Sequence, residues 1–118
     1  MGEKHMNKRT VGSDNEERAL LYLQKQGYVP LMQNYRCFCG EVDIVAKESG
    51  DLVFAEVKYR RTQEYGLPEQ AVDARKQAKI RRVAMCYLKE NRLPTDTDIR
   101  FDVVAMDERE IRLYRNAF

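Results

Sequence analysis

The chain has no apolar run approaching the ~18 residues that a membrane-spanning helix needs, and its first ten residues are polar and basic, without the hydrophobic stretch of a secretory leader. Both absences point to a soluble cytoplasmic protein with no membrane partner. Histidine occurs once, as His5, and cysteine three times, as Cys37, Cys39 and Cys86. So few thiols, odd in number, do not make a disulfide framework and suit a reducing compartment. Cys37 and Cys39 could open a metal site, but the lone histidine stands in the N-terminal tail, so reduced thiols beside a strand are expected. Net charge is also scant, because 21 Lys/Arg against 19 Asp/Glu leave only +2. Any case for a polyanionic partner must therefore rest on where the charges sit. Internal repeats and low-complexity tracts are lacking as well.

What is present is enough for one compact domain. A chain of 118 residues, 43% of them hydrophobic, buries roughly 65% of its unfolded surface on folding. Val, Ile, Leu, Tyr and Phe are spread along most of the length, which argues against disorder. Residues 1–10 read as a flexible tail and 11–118 as the domain.

Ser13 followed by Glu16 forms a capping-box pattern, and Ala19, Leu20 and Leu23 recur at helical spacing until Gly27, which predicts a helix over residues 14–26. Three extended runs follow, at 28–36, 41–47 and 52–59, the last two separated by the turn signal Glu48-Ser49-Gly50-Asp51. Residues 60–67 read as a mobile loop, with Pro68 placed to open a second helix. The stripe Ile80, Val83, Ala84, Tyr87 and Leu88 defines that helix, and Pro94 lies beyond its end. Residues 99–106 and 111–114 complete the pattern as strands. The order is αβββαβ with a short extra C-terminal strand, which predicts an α/β fold with a mixed sheet flanked by helices.

The chemistry concentrates in Gly40-Glu41-Val42-Asp43 and Phe54-Ala55-Glu56-Val57-Lys58. Alternation along a strand puts Glu56 and Lys58 on the face of Phe54, and Asp43 on the face of Val45. If Ser49-Gly50 is a two-residue hairpin loop, Glu48 pairs with Asp51, Val45 lies opposite Phe54 and Asp43 opposite Glu56, with paired Cβ atoms about 5 Å apart. Two carboxylates so close repel unless a proton or a cation intervenes. A hard divalent ion, Mg2+ or Mn2+, would resolve the conflict, polarise a phosphate and acidify a bound water, with Lys58 beside it. The alternative is a plain charged cross-strand ladder in which Lys58 pairs with Glu41 or Asp43. Glu16 shares the inward face of the first helix with Ala19, Leu20 and Leu23; it either caps that helix with Ser13 or joins the acidic centre. Between positions 58 and 92, ten Lys/Arg face four Asp/Glu, a plausible phosphate-binding surface that could equally be the solvated face of an amphipathic helix. Lys76 and Gln77 continue the apolar stripe of the second helix as polar groups. Arg60 and Arg61 follow the acidic centre directly. Tyr35, Tyr59 and Tyr65 could stack on bases or pack in the core.

With Asp43 and Glu56-Val57-Lys58 in place, the chain resembles the PD-(D/E)xK nuclease superfamily, which has a restriction-endonuclease-like core. Over residues 12–118 it is more specifically similar to the YraN-type bacterial family, itself similar to archaeal Holliday-junction resolvases. The shared segments include Gly27-Tyr28, Asn34-Tyr35-Arg36, Gly40-Glu41-Val42-Asp43, 54–60, Lys76, Lys79 and Arg100-Phe101-Asp102-Val103-Val104. The resemblance implies that Asp43, Glu56, the Val57 carbonyl and Glu16 hold the metal and that Lys58 is the catalytic lysine. Val42 stands where the signature has proline, and Cys37 and Cys39 belong to no family motif. Arg36, Arg60, Arg61, Lys76, Gln77 and Lys79 are the expected nucleic-acid contacts. The implied activity is Mg2+-dependent hydrolysis of phosphodiester bonds in DNA, including branched DNA, leaving a 5′-phosphate and a 3′-hydroxyl. The alternatives are a nucleic-acid-binding adaptor that keeps the fold without turnover and a protein-interaction module acting through the second helix. Whether the protein pairs as a homodimer is left open.

Overall fold

A computed structural model describes residues 11–60 and 72–118. Its elements are α1 (Val11–Lys25), β1 (Val29–Cys37), β2 (Gly40–Glu48), β3 (Asp51–Tyr59), α2 (Ala74–Glu90), β4 (Ile99–Met106) and β5 (Ile111–Tyr114). The five strands form one sheet in the order β1-β2-β3-β4-β5. Neighbours are antiparallel except β3 and β4, which run parallel. A parallel pair needs a long crossover, and the connection that contains α2 supplies it.

α1 starts at Val11, so Ser13 lies inside the helix and the capping box expected at Ser13–Glu16 is not its beginning. The helix runs back past that start signal. At the other end, Gly27 has φ 101°, Tyr28 N–H donates to the Leu23 carbonyl at 3.0 Å and Gly27 N–H to that of Gln24 at 3.1 Å. This is a Schellman closure, which needs a left-handed residue at that position. The start expected for the second helix at Pro68 lies outside the described residues; the helix that carries the apolar stripe is α2. It begins at Ala74, with Asp73 as N-cap accepting the Lys76 backbone N–H at 2.8 Å. The tail 1–10, the loop 61–67, Arg61 and Tyr65 also lie outside the described residues.

The hairpin between β2 and β3 has the register counted from its turn: Glu48 pairs with Asp51 and Val45 with Phe54. Ser49 and Gly50 have φ 54° and 84°, both positive as a type I′ turn requires, and that turn matches the twist of the flanking strands. The register sends alternate residues to opposite faces. Val45, Phe54 and Val103 pack against Ile80, Val83, Ala84 and Tyr87 of α2, while Ile44, Ala46, Val53, Ala55 and Val104 pack against Ala19 and Leu23 of α1. The sheet is thus a central layer with one helix on each face. Fully burying a side chain such as Leu23 or Phe54 stabilises the fold by roughly 1.5–3 kcal/mol. Tyr35, a stacking candidate by sequence, is a core residue: it is buried, edge-on to Tyr87, and its hydroxyl donates to Glu90. Among the described residues no helix is long and apolar enough to cross a membrane.

Candidate active site

The regular ladder between β2 and β3 reaches Ile44↔Ala55. One rung further, side chains replace the backbone as partners. Val57 N–H donates to Asp43 Oδ2 at 2.8 Å, and Asp43 N–H lies 3.4 Å from Glu56 Oε1. Each strand therefore presents its carboxylate to the other strand's backbone. In an extended strand a residue's N–H and C=O point to the same side, so the Val57 carbonyl faces the same gap as the N–H that Asp43 holds.

Both carboxyls sit on the α2 face, continuing the rows of Val45 and Phe54. Glu56 is only 3% exposed, and Asp43 is half-buried. Burial and then the charge of Asp43 push the Glu56 carboxyl up to about 7. The Asp43 carboxyl is also raised, by burial, against the lowering effect of the Val57 hydrogen bond. The cation facing them is Lys76, whose Nζ lies 3.2 Å from Glu56 Oε2. The Asp73 cap explains its place, since bonding the Lys76 N–H fixes the first turn of α2 and sets that side chain over the sheet.

Glu16 arrives from the opposite layer, on α1. Its carboxyl is raised, first by burial and then by the charge of Asp43, while Asn34 holds it partly down. The acidic pair is thus bracketed by one helix start on each face. The carboxylates do not close into a compact triad: the only three acidic, histidine or cysteine side chains among the described residues with ligand atoms all within 4.8 Å are thiols. Lys58 is half-buried on β3, paired in register with Ala105, and shares the face of Glu56. Of its two candidate partners in a plain charged ladder, Glu41 is taken by Arg36 at 2.9 Å and Asp43 accepts the Val57 N–H.

The remaining basic candidates divide. Arg60 is exposed at the end of β3, its guanidinium bonded to the Tyr59 carbonyl, and Lys79 is exposed on α2. Gln77 donates instead to the Val72 carbonyl at 2.8 Å, which ties down the approach to α2. Lys76, expected as a nucleic-acid contact, faces Glu56.

A second polar cluster, not singled out as a structural unit by sequence, lies at the other end of the sheet. Arg100 bonds Asp102, Glu48 and Asp51, and the fully buried Asp102 also accepts the Tyr28 hydroxyl at 2.7 Å and the Asn116 N–H at 2.8 Å. It closes the hairpin end of β2–β3 and the chain after β5. The signal that could have found it is the alternation of Arg100 and Asp102 on one strand face.

Fold and site together define a mixed α/β protein, a five-stranded sheet between two helices with a carboxylate pair, Glu56 buried and Asp43 half-buried, where two strands part. The family model described as "Uncharacterised protein family UPF0102" matches residues 15–106, and the chain belongs to that family. A UPF0102 protein of Lachnoclostridium phytofermentans is 54% identical over 113 residues, 96% of each chain. Another from Caldicellulosiruptor saccharolyticus is 42% identical over 119 residues, 96% of this chain and all of that protein, and one from Photobacterium profundum is 39% identical over 114 residues, 94% of this chain and 91% of its own.

Proposed function

We propose that the protein is a metal-dependent endonuclease with a PD-(D/E)xK core, acting on DNA of branched or single-stranded form. The observation that carries this reading is the convergence of Asp43 and Glu56 from adjacent strands at a point where both are costly to ionise. Desolvated like charges of this kind call for a cation. The donor set is all oxygen, two carboxylates and the Val57 carbonyl, which fits Mg2+ or Mn2+ better than a softer ion. Glu16 would add a further carboxylate from α1. When bound, such an ion supplies Lewis acidity toward a phosphate and lowers the pKa of water.

The chain's own residues do the rest. Asp43 is oriented by the Val57 N–H, so its free oxygen is directed without a search over rotamers. Lys76 neutralises Glu56 before the ion is taken up. Lys58 places an ammonium on the Glu56 face, suited to hold the attacking water or to offset charge growing on the phosphate oxygens. Arg60 and Lys79 extend positive charge outward, where backbone phosphates would lie.

The test is cleavage of junction, flap, single-stranded and duplex DNA with Mg2+ or Mn2+. Activity that Lys58→Ala and Asp43→Ala abolish supports the reading. Salt-sensitive binding without cleavage, unchanged in both variants, would replace it with a non-catalytic adaptor.

A further inference from the structure

Away from the acidic centre, three thiols converge where the β1–β2 turn meets α2. Cys37 ends β1 and pairs with Gly40, so Phe38-Cys39 is the turn itself. Cys86 comes from α2, 47 positions from Cys39, and its Sγ lies 3.7 Å from that of Cys39. All three Sγ atoms fall within 4.8 Å of one another, and all three residues are half-buried. The thiols are free.

We propose that Cys37, Cys39 and Cys86 form a trithiolate site for a soft divalent cation of the Zn2+ class, with one coordination position open to solvent. Four ligands at about 2.3 Å from a tetrahedral ion have sulfur–sulfur edges of about 3.8 Å, close to the 3.7 Å already present between Cys39 and Cys86. A hard ion has no claim on such a set, because thiolates select soft metals. Three thiolates around a divalent ion carry one net negative charge, and the surroundings supply the complement. Lys79 lines the groove beside Cys37 and Cys39, and Arg82 and Lys89 line the one beside Cys39 and Cys86. That second groove also gives solvent a route to the fourth position. Phe38, between Cys37 and Cys39, is 94% exposed at the tip of the turn.

The consequence is mechanical. Ligation would pin the β1–β2 turn, which leads directly into the strand of Asp43, to the helix that carries Lys76. The packing there is already close, since a Cβ on Gly40 would lie 2.9 Å from Lys79 Cδ. The site stands apart from the proposed nuclease centre and does not depend on it.

Fully reduced full-length protein titrated with Co2+ or Cd2+ should develop thiolate-to-metal charge-transfer absorption that saturates at one equivalent and is bleached by Zn2+. Zn2+ should also raise the unfolding temperature. Cys86→Ser should abolish both effects, and so should Cys39→Ser, which alters an exposed turn and leaves the α2 core intact should the first variant fold poorly. Asp43→Ala should leave both unchanged, which separates this site from the carboxylates. The proposal is overturned if folded protein with three titratable thiols shows no such absorption, or if the absorption persists in both cysteine variants.

Discussion

Glu56→Gln should stabilise the metal-free protein at high pH and leave it nearly unchanged at low pH. Glu56 has a carboxyl only 5% exposed, buried against Asp43 and faced by Lys76. Its pKa stands at about 7 instead of 4.5, because burial and the Asp43 charge oppose ionisation. A group raised in the folded state favours folding below its unfolded pKa, and that contribution disappears as the pH climbs through the folded value. At about 1.4 kcal/mol per pH unit, the ionised Glu56 costs the native state about 3 kcal/mol above pH ~7.5. Glutamine keeps the shape and an acceptor oxygen for the Asp43 N–H but cannot ionise. Urea unfolding followed by circular dichroism, with chelator present, should give a variant-minus-wild-type difference near zero at about pH 4.5 and about 2–3 kcal/mol in the variant's favour at about pH 8.5. Subtracting the wild type cancels every group unaffected by the change. A difference that is flat with pH, or that turns against the variant as pH rises, would refute the argument that Glu56 is held against ionisation.

Two further outcomes use the same apparatus. Lys76→Met removes the ammonium that lowers the Glu56 carboxyl, so the midpoint of the pH-dependent difference should move upward when Glu56→Gln is measured in that background; an unmoved midpoint would place Lys76 elsewhere in solution. At the far end of the sheet, Asp102→Ala strips a fully buried carboxylate from Arg100, itself only 12% exposed, and should cost about 3–5 kcal/mol in urea unfolding, against under 1 kcal/mol for the exposed pair in Arg36→Ala.

How much was legible in the sequence follows from the range of the interactions. The β2–β3 register could be counted because a two-residue turn and strand alternation are local rules, and Asp43 meets Glu56 for that reason alone. Helix starts were less legible. Ser13 is a good opener by type, yet α1 already runs from Val11, since competing starts differ by only about 1 kcal/mol of capping energy, and Pro68 lies outside the described residues. Lys76 could be placed on the inward stripe of the second helix, but its meeting with Glu56 could not be read, because nothing local says that the first turn of α2 lies over β3. Cys86 could not be joined to Cys37 and Cys39 for the same reason: the contact spans 47 positions and exists only once α2 crosses the sheet. Glu16 was recognised as inward-facing, and its release from the capping box came only with the longer helix.

Asp43 and Glu56 are proposed to share a divalent cation, and isothermal titration of Mn2+ into the protein at neutral pH tests that most directly. One equivalent should bind, with proton release from the raised Glu56 carboxyl, and Asp43→Ala should lose that uptake while Cys86→Ser keeps it. A folded wild type that takes up no Mn2+, or an Asp43→Ala variant that binds it as well as the wild type, would contradict the claim.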